Sequence, residues 1–299
     1  MFEKACVIFY YMETPLHMGT GTTISFVDLP IAREKHTGYP VMPASGIKGV
    51  LRDFARRQWK DDDKKVELVF GPEEKPEDFA SCVTFTDGRI LLLPVRSLKG
   101  IFAWVTSPFI LKRLAKDVAI ADSGFNLPVE GLQISDEEVL VCNNSKITFD
   151  EKVVLEDYEF NAKKDAKDFA DKLYYLLMKG FSSLSLRALL SKLPEKLAIL
   201  SDDAFSEMST VAMEIATRIK IDYIKGTVEE GALFTEEAVP SESIFYNLAL
   251  FTKPHKDNEG FKSAEDVMEA IKELLKGNRL IQFGGDATLG RGLARVGLI

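Results

Sequence analysis

Cysteine is scarce. Cys6, Cys82 and Cys142 are the three in a chain of 299 residues, and they stand too far apart for a Cys-x-x-Cys pair. That spacing predicts neither a disulfide framework nor a zinc site, and it fits buried thiols in a reducing cytoplasm. Long apolar runs are missing too. None reaches the roughly 18 residues that mark a membrane span, so no membrane partner is expected. The opening MFEKACVIFYYMETP has only a short apolar part, followed by Glu13 and no small-residue cleavage site, which predicts no secretory signal. Positive charge is in deficit, with 38 Lys and Arg against 46 Asp and Glu and a net charge of −8. Taken alone, that balance argues against a nucleic-acid partner, because phosphate binding favours a basic surface. There is no repeat at a fixed period and no low-complexity segment.

What is present is an ordinary apolar content of 46%, enough to fill the core of one large domain or two small ones. The charge is also uneven. Residues 33–57 carry Arg33, Lys35, Lys48, Arg52, Arg56 and Arg57 against only Glu34 and Asp53, whereas residues 61–78 carry eight acids against three lysines. An acidic total therefore leaves room for one basic groove.

The pattern KACVIFYYMET (4–14) predicts a strand. SGIKGVLRDFARRQW (45–59) predicts a helix with Ser45 as N-cap. Ile47, Val50, Leu51 and Phe54 form its core face, and Lys48, Arg52 and Arg56 lie on a second face. The acidic stretch 60–79 reads as a surface insertion. CVTFTDGRILLLPVRS (82–97) predicts two strands around an Asp87-Gly88 turn, GIFAWVTS (100–107) a strand, and PFILKRLAKDV (108–118) a helix. Residues 120–160 alternate turn signals with short apolar runs. Helices are expected over 164–180, over 201–217 with Ser201 or Asp202 as cap, and over 263–277 with a capping start and a Gly stop. Residues 218–252 predict a long hairpin region. A strand, a Gly-rich loop and a strand-like tail close the chain. The order predicts an α+β fold, helices on a largely antiparallel sheet, with a split β-α-β arrangement carrying insertions.

Candidate chemistry follows from residue types. FGGDATLGRG (283–292) lacks the P-loop ending and the dinucleotide glycine order. It still offers Gly284, Gly285, Gly290 and Gly292 with Arg291, a set suited either to a phosphate chain or to a tight turn. Gly46 and Gly49 in the cationic helix would let a phosphate or another backbone come close, while Lys48, Arg52 and Arg56 read as phosphate ligands or as a solvated face. His17 and Asp28 are the best acid–base pair, and Asp28 is a candidate divalent-cation ligand. Each on its own also reads as an ordinary loop residue. Glu236 and Glu237, adjacent on a strand, point to opposite sides, or form a charged edge that discourages aggregation.

Five segments, taken in order, carry a family resemblance: ETPLHMGTGT, VDLPIAREKHTGYPVMPASGIKGVLR, LLLPVRSLKGIFAWVTSP, GALFTEEAVPSESIFY and FGGDATLGRG. They resemble the RAMP superfamily of CRISPR proteins, and more closely the repeated backbone subunit of the type III-B (Cmr) effector, which cleaves target RNA. The resemblance implies a single RAMP domain over 1–299 with a ferredoxin-like (RRM-like) palm, insertions near 60–80 and 120–165, and an extended thumb hairpin near 218–252. It implies copies stacked as a helical filament along a CRISPR guide RNA, with target RNA and other Cmr subunits as partners. It places the residue required for target cleavage at Asp28, a supporting histidine at His17 and an acid at Glu236 or Glu237. It implies a loosely held divalent metal, Mg or Mn, at Asp28. Lys48 and Arg52, with Ser45, Gly46, Gly49, Arg56 and the Gly284–Gly292 loop including Gly285, Gly290 and Arg291, would hold the guide. A non-catalytic guide-binding subunit, and a nuclease that matures the guide precursor through His17, are the alternatives.

Overall fold

The strand Lys4–Met12 lies inside a large sheet, and Cys6–Met12 are buried along their whole length. A computed structural model describes residues 2–21, 27–60, 62–73, 79–222, 226–254, 261–277 and 279–299. A strand covered on both faces reads as a continuous apolar run rather than an alternation, and helices Pro108–Ile120, Lys167–Gly180 and Ala264–Leu275 pack against this one. Its neighbours are Ile244–Phe251 on one side and Leu293–Leu298 on the other, both antiparallel. Val83–Phe85 and Gly88–Ser97 lie beyond Ile244–Phe251, and Leu280–Gln282 lies beyond Leu293–Leu298. Gly88–Ser97 continues into a hairpin with Ile101–Thr106, and Leu197–Ile199 then adds in parallel. Glu138–Leu140, Tyr158–Lys163 and Lys152–Leu155 extend the sheet, which has 12 strands among the described residues.

Helix Ala44–Gln58 follows the first strand, and helix Ala264–Leu275 follows Ile244–Phe251. The central part is thus strand–helix–strand–strand–helix–strand, in the spatial order fourth, first, third, second, with antiparallel neighbours. Residues 98–243 are inserted between the second and third of these strands. The last helix begins as its sequence predicts: Ser263 and Asp266 form a reciprocal capping box.

Several expectations are corrected. Ser45 is not the N-cap. The helix starts at Ala44 behind Pro43, and the Ala44 N–H donates to Asp87 Oδ1 at 2.8 Å, so the cap comes from a residue distant in sequence. Asp87-Gly88 is not a hairpin turn. Phe85 pairs with Ala249 and Arg89 with Tyr246, so both strands follow one partner with an extra residue bulged between them. The expected insertion at 60–79 contains helix Asp63–Phe70, whose Val66, Leu68, Val69 and Phe70 are buried, so it feeds the core; residues 61 and 74–78 lie outside the described residues. The helix expected over 201–217 ends at Val211, and Glu214–Asp222 turns back as a strand. The hairpin region expected over 218–252 divides in two. Glu214–Asp222 pairs with Thr227–Ala238 as a separate two-stranded ribbon, while Ile244–Phe251 belongs to the central sheet; residues 223–225 lie outside the described residues.

Candidate functional site

The base of the ribbon, the Gly-rich loop and the segment around His17 meet at one place. Leu16 and Val239 exchange backbone hydrogen bonds at 2.8 and 2.9 Å. The Gly285 N–H donates to the His17 carbonyl at 2.8 Å, and the Ala32 N–H to the Met18 carbonyl at 2.7 Å. Three chain segments far apart in sequence are thereby clamped around residues 16–18.

His17 is buried, and its Nδ1 lies 2.7 Å from the Glu237 carbonyl oxygen. A carbonyl only accepts, so Nδ1 carries the proton, and in the neutral ring Nε2 is left as an acceptor. Glu236 Oε1 is 3.7 Å from the same Nδ1. The other Glu236 oxygen accepts from Arg218 Nε at 2.6 Å, and Arg218 reaches on to Asp286 Oδ2 at 2.7 Å. Asp286 sits in the Gly-rich loop with a left-handed φ of 57°, a conformation that Asp tolerates better than most residues. Glu237 is turned the other way. It accepts from the Ile31 N–H at 3.0 Å and from Arg33 Nη2 at 2.5 Å. The adjacent acids do face opposite sides, as strand geometry requires, but both are buried and paired.

Asp28 is exposed, on the loop that runs past the ribbon. Its Oδ2 accepts from the Thr235 N–H at 2.8 Å and from Thr235 Oγ1 at 2.9 Å. These backbone and side-chain hydrogen bonds hold its carboxyl below the usual carboxylate range. Asp28 and His17 are thus anchored two residues apart on one strand, at Thr235 and Glu237, about 7 Å along it. Among the described residues no three of His, Cys, Asp and Glu gather as a metal site. A hard cation that keeps its waters and takes one carboxylate plus substrate phosphates suits Asp28; a cation caged by protein alone does not.

The basic helix is less open than its sequence implies. Arg56 donates to Glu73 at 2.7 Å and lies 3.4 Å from Asp63, and Arg52 lies 3.7 Å from Glu73. The acidic stretch that follows the helix folds back to neutralise both arginines. Lys48 has no carboxylate partner among the described residues, and burial and nearby Arg52 lower its pKa. Ser45 and Gly49 are exposed. Gly46 serves packing instead, since a Cβ there would stand 2.5 Å from Met18 Cε.

The Gly-rich loop is likewise corrected. The N–H groups of Gly285, Gly290, Arg291 and Gly292 all donate to backbone carbonyls, so they are not an open phosphate nest. Gly284 has φ 76°, and a Cβ would stand 2.2 Å from the His17 carbonyl oxygen. Gly284→Ala should therefore push the loop off His17 and lower the thermal midpoint. Gly290→Ala, whose Cβ meets open space at φ 74°, should cost only the left-handed backbone strain of roughly 1–2 kcal/mol. Differential scanning calorimetry of the two variants checks the difference.

A model of the RAMP superfamily matches residues 10–295. The chain belongs to the RAMP superfamily. It is 37% identical over 298 residues to the CRISPR system Cmr endoribonuclease Cmr4 of Pyrococcus furiosus, covering 99% of this chain and 96% of that one. The crystal structure of oligomeric Cmr4 from Pyrococcus furiosus superimposes with a TM-score of 0.74 at 31% identity, over 99% and 97% of the two chains. A chain of the type III-B Cmr-beta assembly bound to cognate target RNA shares the fold, with a TM-score of 0.76 at 21% identity over 99% and 98%.

In this RAMP chain, sequence reasoning missed Thr235, Arg33, Arg218 and Asp286. Thr235 carried one usable signal: strand alternation puts it on the same side as Glu237. Arg33 and Glu34 are tied inward, Arg33 to Glu237 and Glu34 to Arg113, each at 2.5 Å.

Proposed function

We propose that this chain is the repeated backbone subunit of a type III-B CRISPR effector, which binds guide RNA and cuts complementary target RNA at regular intervals. One observation carries the catalytic reading: Asp28 is exposed, has a lowered pKa, and is anchored at the base of a projecting ribbon. The naming of the 37% identical relative as an endoribonuclease supports it. The central strand order supports a ferredoxin-like palm within one RAMP domain over 1–299, and the ribbon Glu214–Ala238 is its thumb. On the face that carries Thr235, cross-strand partners Ile219 and Leu233 are exposed. Such an apolar wedge beside a carboxylate suits a step in which RNA bases are parted. Self-association draws support from the relative solved as an oligomer, and contact with target RNA and other Cmr subunits from the structural neighbour. Among the described residues no helix is long and apolar enough to cross a membrane, and the three buried free cysteines fit a cytoplasmic setting.

In the proposed reaction the target's own 2′-hydroxyl gives up its proton and attacks the adjacent phosphorus, and the expelled 5′-oxygen takes a proton from water, leaving a 2′,3′-cyclic phosphate and a 5′-hydroxyl. Asp28, ionised at neutral pH, accepts the hydrogen bond of that 2′-hydroxyl and orients it. His17 would take that hydroxyl's proton at Nε2. Glu236 and Glu237 act through the residues they hold, Arg218 and His17 on one side and the Asp28 loop on the other. Asp28 would contribute one ligand to a Mg²⁺ or Mn²⁺ arriving with the RNA, which would offset phosphate charge.

The test is a reconstituted complex with guide RNA and end-labelled complementary target. Regularly spaced cuts that stop on adding EDTA are expected. Tight binding without any cut would favour the alternative, a non-catalytic guide-binding subunit. Guide binding itself should depend on Lys48. Lys48→Ala should flatten the plot of log affinity against log salt by about 0.7 for a single-stranded guide, and an unchanged slope in filter binding would mean that Lys48 contacts no phosphate.

A further inference from the structure

The Asp28 carboxylate is exposed, and an exposed carboxylate normally samples several rotamers. This one is held by a single residue. The Asp28 N–H donates to Thr235 Oγ1 at 3.0 Å, while Thr235 Oγ1 and the Thr235 N–H both donate to Asp28 Oδ2. One hydroxyl thus accepts from the backbone of Asp28 and donates to its side chain. The backbones are also joined, the Leu29 N–H to the Thr235 carbonyl at 3.0 Å and the Glu237 N–H to the Leu29 carbonyl at 3.0 Å. The carboxylate and its loop are therefore both tied to the ribbon strand at Thr235.

We infer that Thr235 is a positioning residue for cleavage, fixing the Asp28 carboxylate to the base of the ribbon; this rests on the cutting role proposed for Asp28. Valine at 235 keeps the shape, the strand propensity and the backbone N–H that donates to Asp28, but its side chain neither accepts from nor donates to Asp28. Serine keeps both hydroxyl bonds. The two replacements separate hydrogen bonding from packing.

The experiment measures single-turnover cleavage of saturating complementary RNA by complexes assembled with wild-type, Thr235→Val, Thr235→Ala, Thr235→Ser and Asp28→Asn chains. Guide binding, target binding and thermal midpoint are measured alongside. Thr235→Val and Thr235→Ala should cut up to about 100-fold more slowly, the scale of a small misplacement, with target affinity unchanged. Thr235→Ser should stay within about threefold of wild type, because the hydroxyl is retained. Wild-type rates for Thr235→Val, or a Thr235→Ser complex as slow as Thr235→Val, would overturn the inference while an inactive Asp28→Asn leaves the cutting role standing. An active Asp28→Asn overturns both.

Discussion

Replacing Asp28 by Asn should leave complex assembly and guide binding intact and lower target cleavage by about 10³-fold, within the range for loss of a positioned acid–base group. The amide has the size of the carboxylate, and its oxygen still accepts from the Thr235 N–H, so the loop keeps its place. What is lost is the charge. Asp28 is exposed, and substitutions at such positions usually change stability by no more than about 0.5 kcal/mol. A fall in cleavage with an unchanged thermal midpoint therefore reports on chemistry. Gel electrophoresis of labelled target, beside a melting curve of the isolated chain, reads both; a shared fall in cleavage and midpoint would point to misfolding instead.

Glu237→Ala should act in the opposite manner, through structure first. The Glu237 carboxylate is buried and holds both Arg33 and the Ile31 N–H. Removing one partner of a buried pair leaves the other charge without compensation and costs about 3 kcal/mol, here with a stranded buried N–H as well. For a chain of this size that is a drop in thermal midpoint on the order of 5 °C. Residues 31–33 would loosen from the ribbon, and cleavage should fall because Asp28 lies on the same loop. Arg33 also donates to the carbonyls of Gly38 and Ser209, so its far end stays anchored and the damage is local. A normal midpoint in Glu237→Ala would mean that the pair contributes little to the fold.

The central strands and the main helices were legible because their signals are local. Apolar runs such as Val7–Met12, and the Ser263–Asp266 cap, are fixed by neighbours within a few residues. The helix over 44–58 was legible for the same reason, but its cap was not. Asp87 supplies it from another part of the chain, and no local pattern at Ser45 could say so. The mistaken turn at Asp87-Gly88 has the same origin: a bulge and a hairpin use the same residues, and the shared partner strand Ile244–Phe251 decides between them. Asp28 and His17 were legible as a candidate acid–base pair from residue type and loop position, and the motif resemblance gave them their roles. Their environment was out of reach. Thr235 lies 207 residues from Asp28 and Asp286 lies 68 residues from Arg218, and only the fold brings them together. The cationic stripe was read too generously because Glu73 and Asp63 fold back onto it, and the Gly-rich loop because its N–H groups turn inward.

The most direct measurement uses complexes assembled from mixtures of wild-type and Asp28→Asn chains, with the cuts on a long complementary RNA mapped at nucleotide resolution. If each copy of this chain makes its own cut with its own Asp28, every cut should weaken in proportion to the fraction of Asp28→Asn chains, while the interval between cuts stays the same. Cutting that persists undiminished in complexes built wholly from Asp28→Asn chains would contradict the account.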